Sequence, residues 1–155
     1  MIIYDWKNSE GRHFPARRTT RNIVNGVASP ISSEYFSLGY VVLEPNGGQV
    51  PWHNHPQEEV YTIISGEAEI CVGEDRNILY AGQTVHIPCN KFHQLTNISD
   101  QPVEMIYCYA PAGDVEHWKQ ELEGTLPRAG EGDIPPLPEG AHAQCTHTFE
   151  ELEVR

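Results

Sequence analysis

The chain has 155 residues, 39% of them hydrophobic, and a formal net charge of −12. That length suits one domain with one sizeable core. The acidic balance argues against nucleic-acid and anionic-membrane partners, and no run approaches the roughly 18 apolar residues that a membrane span needs.

The N-terminus, Met1-Ile2-Ile3-Tyr4-Asp5-Trp6, lacks a basic segment followed by an apolar stretch, so a cytoplasmic location is the expectation. Up to Arg21 the chain carries five basic residues (Lys7, Arg12, Arg17, Arg18, Arg21) and two acids (Asp5, Glu10), net +3, leaving −15 on the remaining 134 residues. Either this basic segment pairs with the acidic body, or one of its arginines reaches a carboxylate substrate. Cys71, Cys89, Cys108 and Cys145 lie far apart and form no C-x-x-C pair. They are expected as free buried thiols.

From Tyr35 to Tyr109 the chain reads as short strands separated by turn signals. Tyr35–Leu43 is rich in β-branched and aromatic residues and stops at Pro45-Asn46-Gly47-Gly48. Val60–Ile64 breaks at Ser65-Gly66, Ala68–Val72 at Gly73, Asn77–Tyr80 at Ala81-Gly82, and Thr84–Ile87 at Pro88. Phe92–Asn97 and Val103–Tyr109 complete the set. This spacing predicts an all-β sandwich or barrel.

Beyond Pro111 the pattern changes. Asp114–Glu123 predicts a short helix, with Asp114 as N-cap and Val115, Trp118 and Leu122 on one face. Pro127–Gly140 holds four prolines and three glycines and reads as an extended strap. It suits a lid, or a surface that packs on a dimer partner. Thr146–Leu152 fits a last short helix or strand. The expected layout is an N-terminal arm over residues 1–34 packed on the barrel, the barrel over 35–112, and a C-terminal helix and strap over 113–155, all in one domain.

Three histidines and a glutamate stand at metal-ligand spacing. Strand alternation puts His53 and His55 on one face, and it puts Glu59 with Tyr61 and Ile63, and His93 with Leu95 and Asn97. Glu58 points the other way. If these faces turn inward, His53, His55, Glu59 and His93 converge on one point. Imidazole and carboxylate together suit one divalent transition metal: Fe(II), Mn(II), Ni(II), Co(II) or Zn(II). Four ligands on an octahedral ion leave two positions open for substrate or O2. No cysteine joins the set, which argues against a closed structural zinc site. His13, His86, His117, His142 and His147 carry no such spacing.

These residues resemble the cupin superfamily. Its first motif, G-x5-H-x-H-x3-E-x6-G, is met by Gly47, His53, His55, Glu59 and Gly66. Its second, G-x5-P-x-G-x2-H-x3-N, is met by Gly82, Pro88, His93 and Asn97, with Asn90 in place of the second glycine. Asparagine tolerates the left-handed backbone that this turn needs. The likeness covers roughly residues 36–110. It implies a six- to eight-stranded jelly-roll (double-stranded β-helix) barrel, often a homodimer, with the metal near its mouth. It does not imply one reaction, since the superfamily spans dioxygenases, decarboxylases, lyases, isomerases, storage proteins and sugar-binding domains.

A narrower likeness is to the small cupin lyases that cleave dimethylsulfoniopropionate. They share the first motif running into a tyrosine, here Tyr61, and a second tyrosine on the last barrel strand, here Tyr107. A deprotonated tyrosine beside a metal can abstract the proton that β-elimination removes. The bland alternative makes both tyrosines core aromatics. The expectation is a metal-dependent enzyme on a small polar or carboxylate-bearing metabolite, with Tyr61, Tyr107 and His86 as candidate catalytic groups. The competing expectation is a non-catalytic module that binds a small molecule.

Overall fold

A computed structural model describes residues 1–145. Thr146–Leu152, with its expected helix or strand, lies outside the described residues. Ten strands form two antiparallel sheets. They are β1 (Arg12–Phe14), β2 (Arg18–Val24), β3 (Ser37–Leu43), β4 (Gln49–His53), β5 (Glu58–Ser65), β6 (Glu67–Val72), β7 (Asp75–Tyr80), β8 (Thr84–Ile87), β9 (His93–Asn97) and β10 (Val103–Ala110). The larger sheet runs β1-β2-β3-β10-β5-β8, and the smaller runs β4-β9-β6-β7. One helix, α1 (Glu116–Glu123), follows β10. The architecture is the all-β jelly roll.

The strand count exceeds the expected six to eight because residues 12–24 supply two more. Nothing in that segment alternates apolar with polar. Its buried face carries Arg18 and Thr20, while β3, paired beside it, offers Leu43 and Val41 to the core. A polar inward face conceals a strand from any search for alternating hydrophobicity.

In the larger sheet alternation holds. Val103, Met105, Tyr107 and Tyr109 of β10 are buried, as are Tyr61 and Ile63 of β5. These residues pack with Leu95, Ile70, Leu79 and Ile87 in the core between the sheets. In β4 and β9 every residue is buried. Their second face is covered by the strap. Gln49 Nε2 donates to the Ala143 carbonyl, Gln94 Nε2 to the His142 carbonyl, and Trp52 Nε1 to the Pro135 carbonyl. Glu69, fully buried on β6, accepts from the His142 backbone N–H and from Arg76. The strap therefore packs on its own chain's smaller sheet.

Two backbone positions hold the frame of the site. Asn90 has φ 62°, the left-handed region it was expected to tolerate, and its N–H donates to the His55 carbonyl at 2.9 Å. Asn97 closes the second motif. Its Nδ2 donates to the carbonyls of Leu43, Glu44 and Gln101, while its Oδ1 accepts from the Ser99 N–H. Asn97→Ala leaves these buried groups unmet, and a loss of roughly 2–3 kcal/mol is expected in urea unfolding.

The cysteines differ from expectation in their burial. Cys71, Cys89 and Cys108 carry free thiols, but of these three only Cys71 is buried. Among the described residues no helix is long and apolar enough to cross a membrane.

Candidate metal centre

His53 ends β4, and His55 lies two residues beyond it in the loop to β5, not on a strand. A bulge brings His53 inward. Val50 pairs with Leu95 and His53 with His93, so three steps on β4 match two on β9. The extra residue lets Val50 and His53 share a face despite their odd separation. Pro51 sits in this interval, where a missing N–H is tolerated. Glu59 comes from β5 and His93 from the start of β9. All four side chains are buried, and their donor atoms lie within 4.8 Å of one another.

The hydrogen bonds fix the tautomers. Nδ1 of His53 lies 2.6 Å from the Pro51 carbonyl, Nδ1 of His55 3.1 Å from that of Gln57, and Nδ1 of His93 2.8 Å from that of Lys91. A carbonyl only accepts, so each Nδ1 carries the proton. Each Nε2 then turns a lone pair into the cluster. Nε2 of His53 and of His93 is buried without a hydrogen-bond partner. Nε2 of His55 stands 2.8 Å from the Glu59 carboxylate, and Nε2 of His93 stands 3.2 Å from it. Lone pairs aimed at a carboxylate at such range need either a further proton or a shared cation. This donor set fits a divalent metal.

Burial pushes the Glu59 carboxyl up, but the imidazoles of His55 and His93 beside it outweigh burial and hold it below 4.5. Burial, then the neighbouring imidazoles with His117 foremost, press His53 well below 6.5. His117 is pressed down likewise by burial and by Arg18. Both folded-state values lie below the unfolded one, so the unfolded chain binds protons first as pH falls. Chelated protein is therefore expected to hold full stability above pH 6.5 and to lose it progressively below. Urea melts at pH 7.5, 6.0 and 5.0 check this, and a flat profile overturns it.

Of the candidate catalytic residues, Tyr61 and Tyr107 reach the barrel interior and His86 does not. Tyr61 is 2% exposed, with its ring edge-on to His93 at 5.8 Å. Tyr107 lies over Gly39, where a Cβ would come within 2.3 Å of its ring, and its hydroxyl donates to Asn22 Oδ1 at 3.1 Å. Burial raises both hydroxyls well above 10, with Glu59 adding to it at Tyr61 and Tyr109 at Tyr107. Strand parity decides the placement of His86. Val85 and Ile87 pair with Tyr61 and Glu59. His86 consequently faces outward, half exposed, and pairs with Glu58 at 2.5 Å.

The residue missed from sequence is His117. The helix was expected to start at an Asp114 cap and to bury Val115, Trp118 and Leu122. Val115 is buried and Trp118 packs on the core as expected, but the helix starts after Val115 with no side-chain cap, and its fully buried residues are His117 and Glu121. The His117 ring stacks on that of His53, with centroids 3.6 Å apart, and neither of its nitrogens has a hydrogen-bond partner. Glu121 receives both amino groups of Arg18, at 2.7 and 2.9 Å. Burial outweighs the guanidinium and leaves the Glu121 carboxyl raised above 4.5. The only sequence signal was the i, i+4 spacing of His117 and Glu121, which apolar periodicity overrode.

Thus α1 lays His117 on His53 and within 6.4 Å of the His55 ring. A small cavity of about 150 Å³ beside it is walled by His53, His117, Trp52, Phe92, by Leu126 and by Ile134 of the strap. A larger cleft of about 840 Å³ borders β7 and β8 and includes His86, but none of the four cluster residues lines it.

Residues 39–109 match the cupin domain model. Among curated proteins, the dimethylsulfoniopropionate lyase DddQ of Ruegeria pomeroyi is 35% identical over 92 residues, which are 59% of this chain and 44% of that protein. The chain thus spans under half the length of that relative. A solved structure from work on the dimethylsulfoniopropionate lyases RdDddP and RnDddQII superposes with TM-score 0.57 at 23% identity, over 67% of this chain and 57% of its own. The polyketide cyclase RemF of Streptomyces resistomycificus superposes with TM-score 0.61 at 16% identity, over 72% and 80%. The matched domain, the two motifs and the jelly roll agree: through residues 39–109 this chain belongs to the cupin superfamily.

Proposed function

We propose that the protein is a metal-dependent enzyme acting on a small polar or carboxylate-bearing metabolite. His53, His55, Glu59 and His93 hold one divalent ion. The observation that carries this reading is the convergence of three tautomer-fixed Nε2 lone pairs and a carboxylate within 4.8 Å. The ion would supply Lewis-acid polarisation of a substrate oxygen, or a site for O2. The chain's own groups do the rest. The Pro51, Gln57 and Lys91 carbonyls orient the imidazoles. Tyr61 and Tyr107 offer hydroxyls to a bound ligand, and α1 excludes water.

A lyase reading is favoured by the 35% identity to DddQ and by the two inward tyrosines. With hydroxyls raised this far, Tyr61 works as a base only if a cation at the four ligands lowers it. The first test is elemental analysis after loading with Fe(II), Mn(II) or Zn(II). About one ion per chain supports the reading, and none retained sinks it. Oxygen consumption by the iron form then identifies a dioxygenase, whereas acrylate release from dimethylsulfoniopropionate without O2 identifies the lyase.

A further inference from the structure

Among the described residues Arg18 is the one lysine or arginine that is buried, at 2% exposure. It projects from β2 into the polar interior that also holds Thr20. Its guanidinium lies on the Phe14 ring at 4.0 Å and donates to the Gln49 carbonyl at 3.1 Å. Those two partners belong to the barrel wall. Its third partner, the Glu121 carboxylate, belongs to α1.

The surroundings hold more polar capacity than the chain uses. Thr20 Oγ1 and both ring nitrogens of His117 are buried without hydrogen-bond partners. Nε2 of His117 stands 3.6 Å from the Glu121 carboxylate, and its ring lies against His53. A line of side chains therefore runs from Arg18 through Glu121 and His117 to the metal ligands. A planar fork paired bidentately with a carboxylate is the geometry by which arginine recognises carboxylic acids. Gly113, with φ 149°, lies in the short link between β10 and α1, and Gly124, with φ 70°, caps the helix's C-terminal end.

We propose that Arg18 is the carboxylate-binding residue of the site, and that Glu121 is an internal carboxylate which occupies it until substrate arrives. The substrate is then a small acid with a carboxylate at one end and a metal-binding oxygen at the other, spanning the space that Glu121 and His117 fill when α1 is closed. This rests on the metal reading for the far end of the substrate and on the Arg18 fork for the near end.

The test is calorimetric titration of glutarate and, as a neutral control, glutaramide, into Mn(II)-loaded and chelator-treated protein. Glu121→Gln removes the competing charge and is expected to bind glutarate about tenfold more tightly than wild type, with no gain for the diamide. Adding Arg18→Gln in the same chain is expected to abolish the gain. An unchanged glutarate affinity in Glu121→Gln overturns the proposal, as does a gain that survives Arg18→Gln or extends equally to the diamide. If Glu121→Gln is too unstable to titrate, glutarate should raise its melting temperature and glutaramide should not. Equal or absent rescue overturns the proposal as well. Metal content is read in the same samples. Loss of the metal reading shows as no bound Mn(II), while charge-selective binding to chelated Glu121→Gln still reports on Arg18.

Discussion

His93→Ala is expected to lower divalent-metal affinity by at least about a hundredfold, and any metal-dependent turnover with it. Changing a group that merely orients a ligand costs roughly 10–100-fold in affinity, and deleting a ligand exceeds that. His93 sits at the centre of the cluster. It is fully buried, pairs with His53 across β4 and β9, and lies 3.2 Å from Glu59. A surviving fold must be separated from a lost ion. The chelated variant should therefore melt within a few degrees of chelated wild type. Added metal should stabilise wild type alone, since only a native state that binds the ion gains from it. Equal metal content in variant and wild type would exclude His93 as a ligand.

Glu121→Ala carries the second large effect, this time on stability. It strands the Arg18 guanidinium in the interior, and breaking a buried ion pair from one side costs about 3–5 kcal/mol. For a domain of this size that is on the order of 10 °C in melting temperature. Arg18→Met with Glu121→Met replaces both charges by apolar side chains, and the double variant should recover most of the loss. Differential scanning calorimetry of the single and double variants decides the matter. Equal destabilisation in both would mean that α1 is held by the packing of Val115 and Trp118 rather than by the ion pair. Glu121→Gln keeps an acceptor for the guanidinium and should fall between wild type and Glu121→Ala.

The parts of the site that were legible in sequence share one property: local spacing carries them. His53, His55, Glu59 and His93 stand in two motif frames, and alternation within β5 separates Glu59 from Glu58. Asn90 was readable because a left-handed turn has few acceptable residues. His86 faces outward, and its own neighbours Val85 and Ile87 already place it on the outer face. The strap's path was hidden for a different reason. Gln49, Glu69 and Gln94 look like a solvated outer face, yet they are buried, and the C-terminal segment supplies hydrogen-bond partners to each from about 50–100 residues away.

Sequence by itself determined an all-β barrel and four converging donors, because strand periodicity and ligand spacing act within a few residues of one another, and the resemblance of the two motif frames to the cupins implied the jelly roll. Tertiary structure decided what stands over those donors. Arg18 and Glu121 are 103 positions apart, and no local rule links a polar strand in an N-terminal arm to the buried face of a C-terminal helix. Only closure of the barrel joins that charge pair and lays the imidazole of His117 against His53. The physical reason is desolvation: once both ends of the chain exclude water from the barrel mouth, a buried charge must find its counter-charge wherever the fold supplies one.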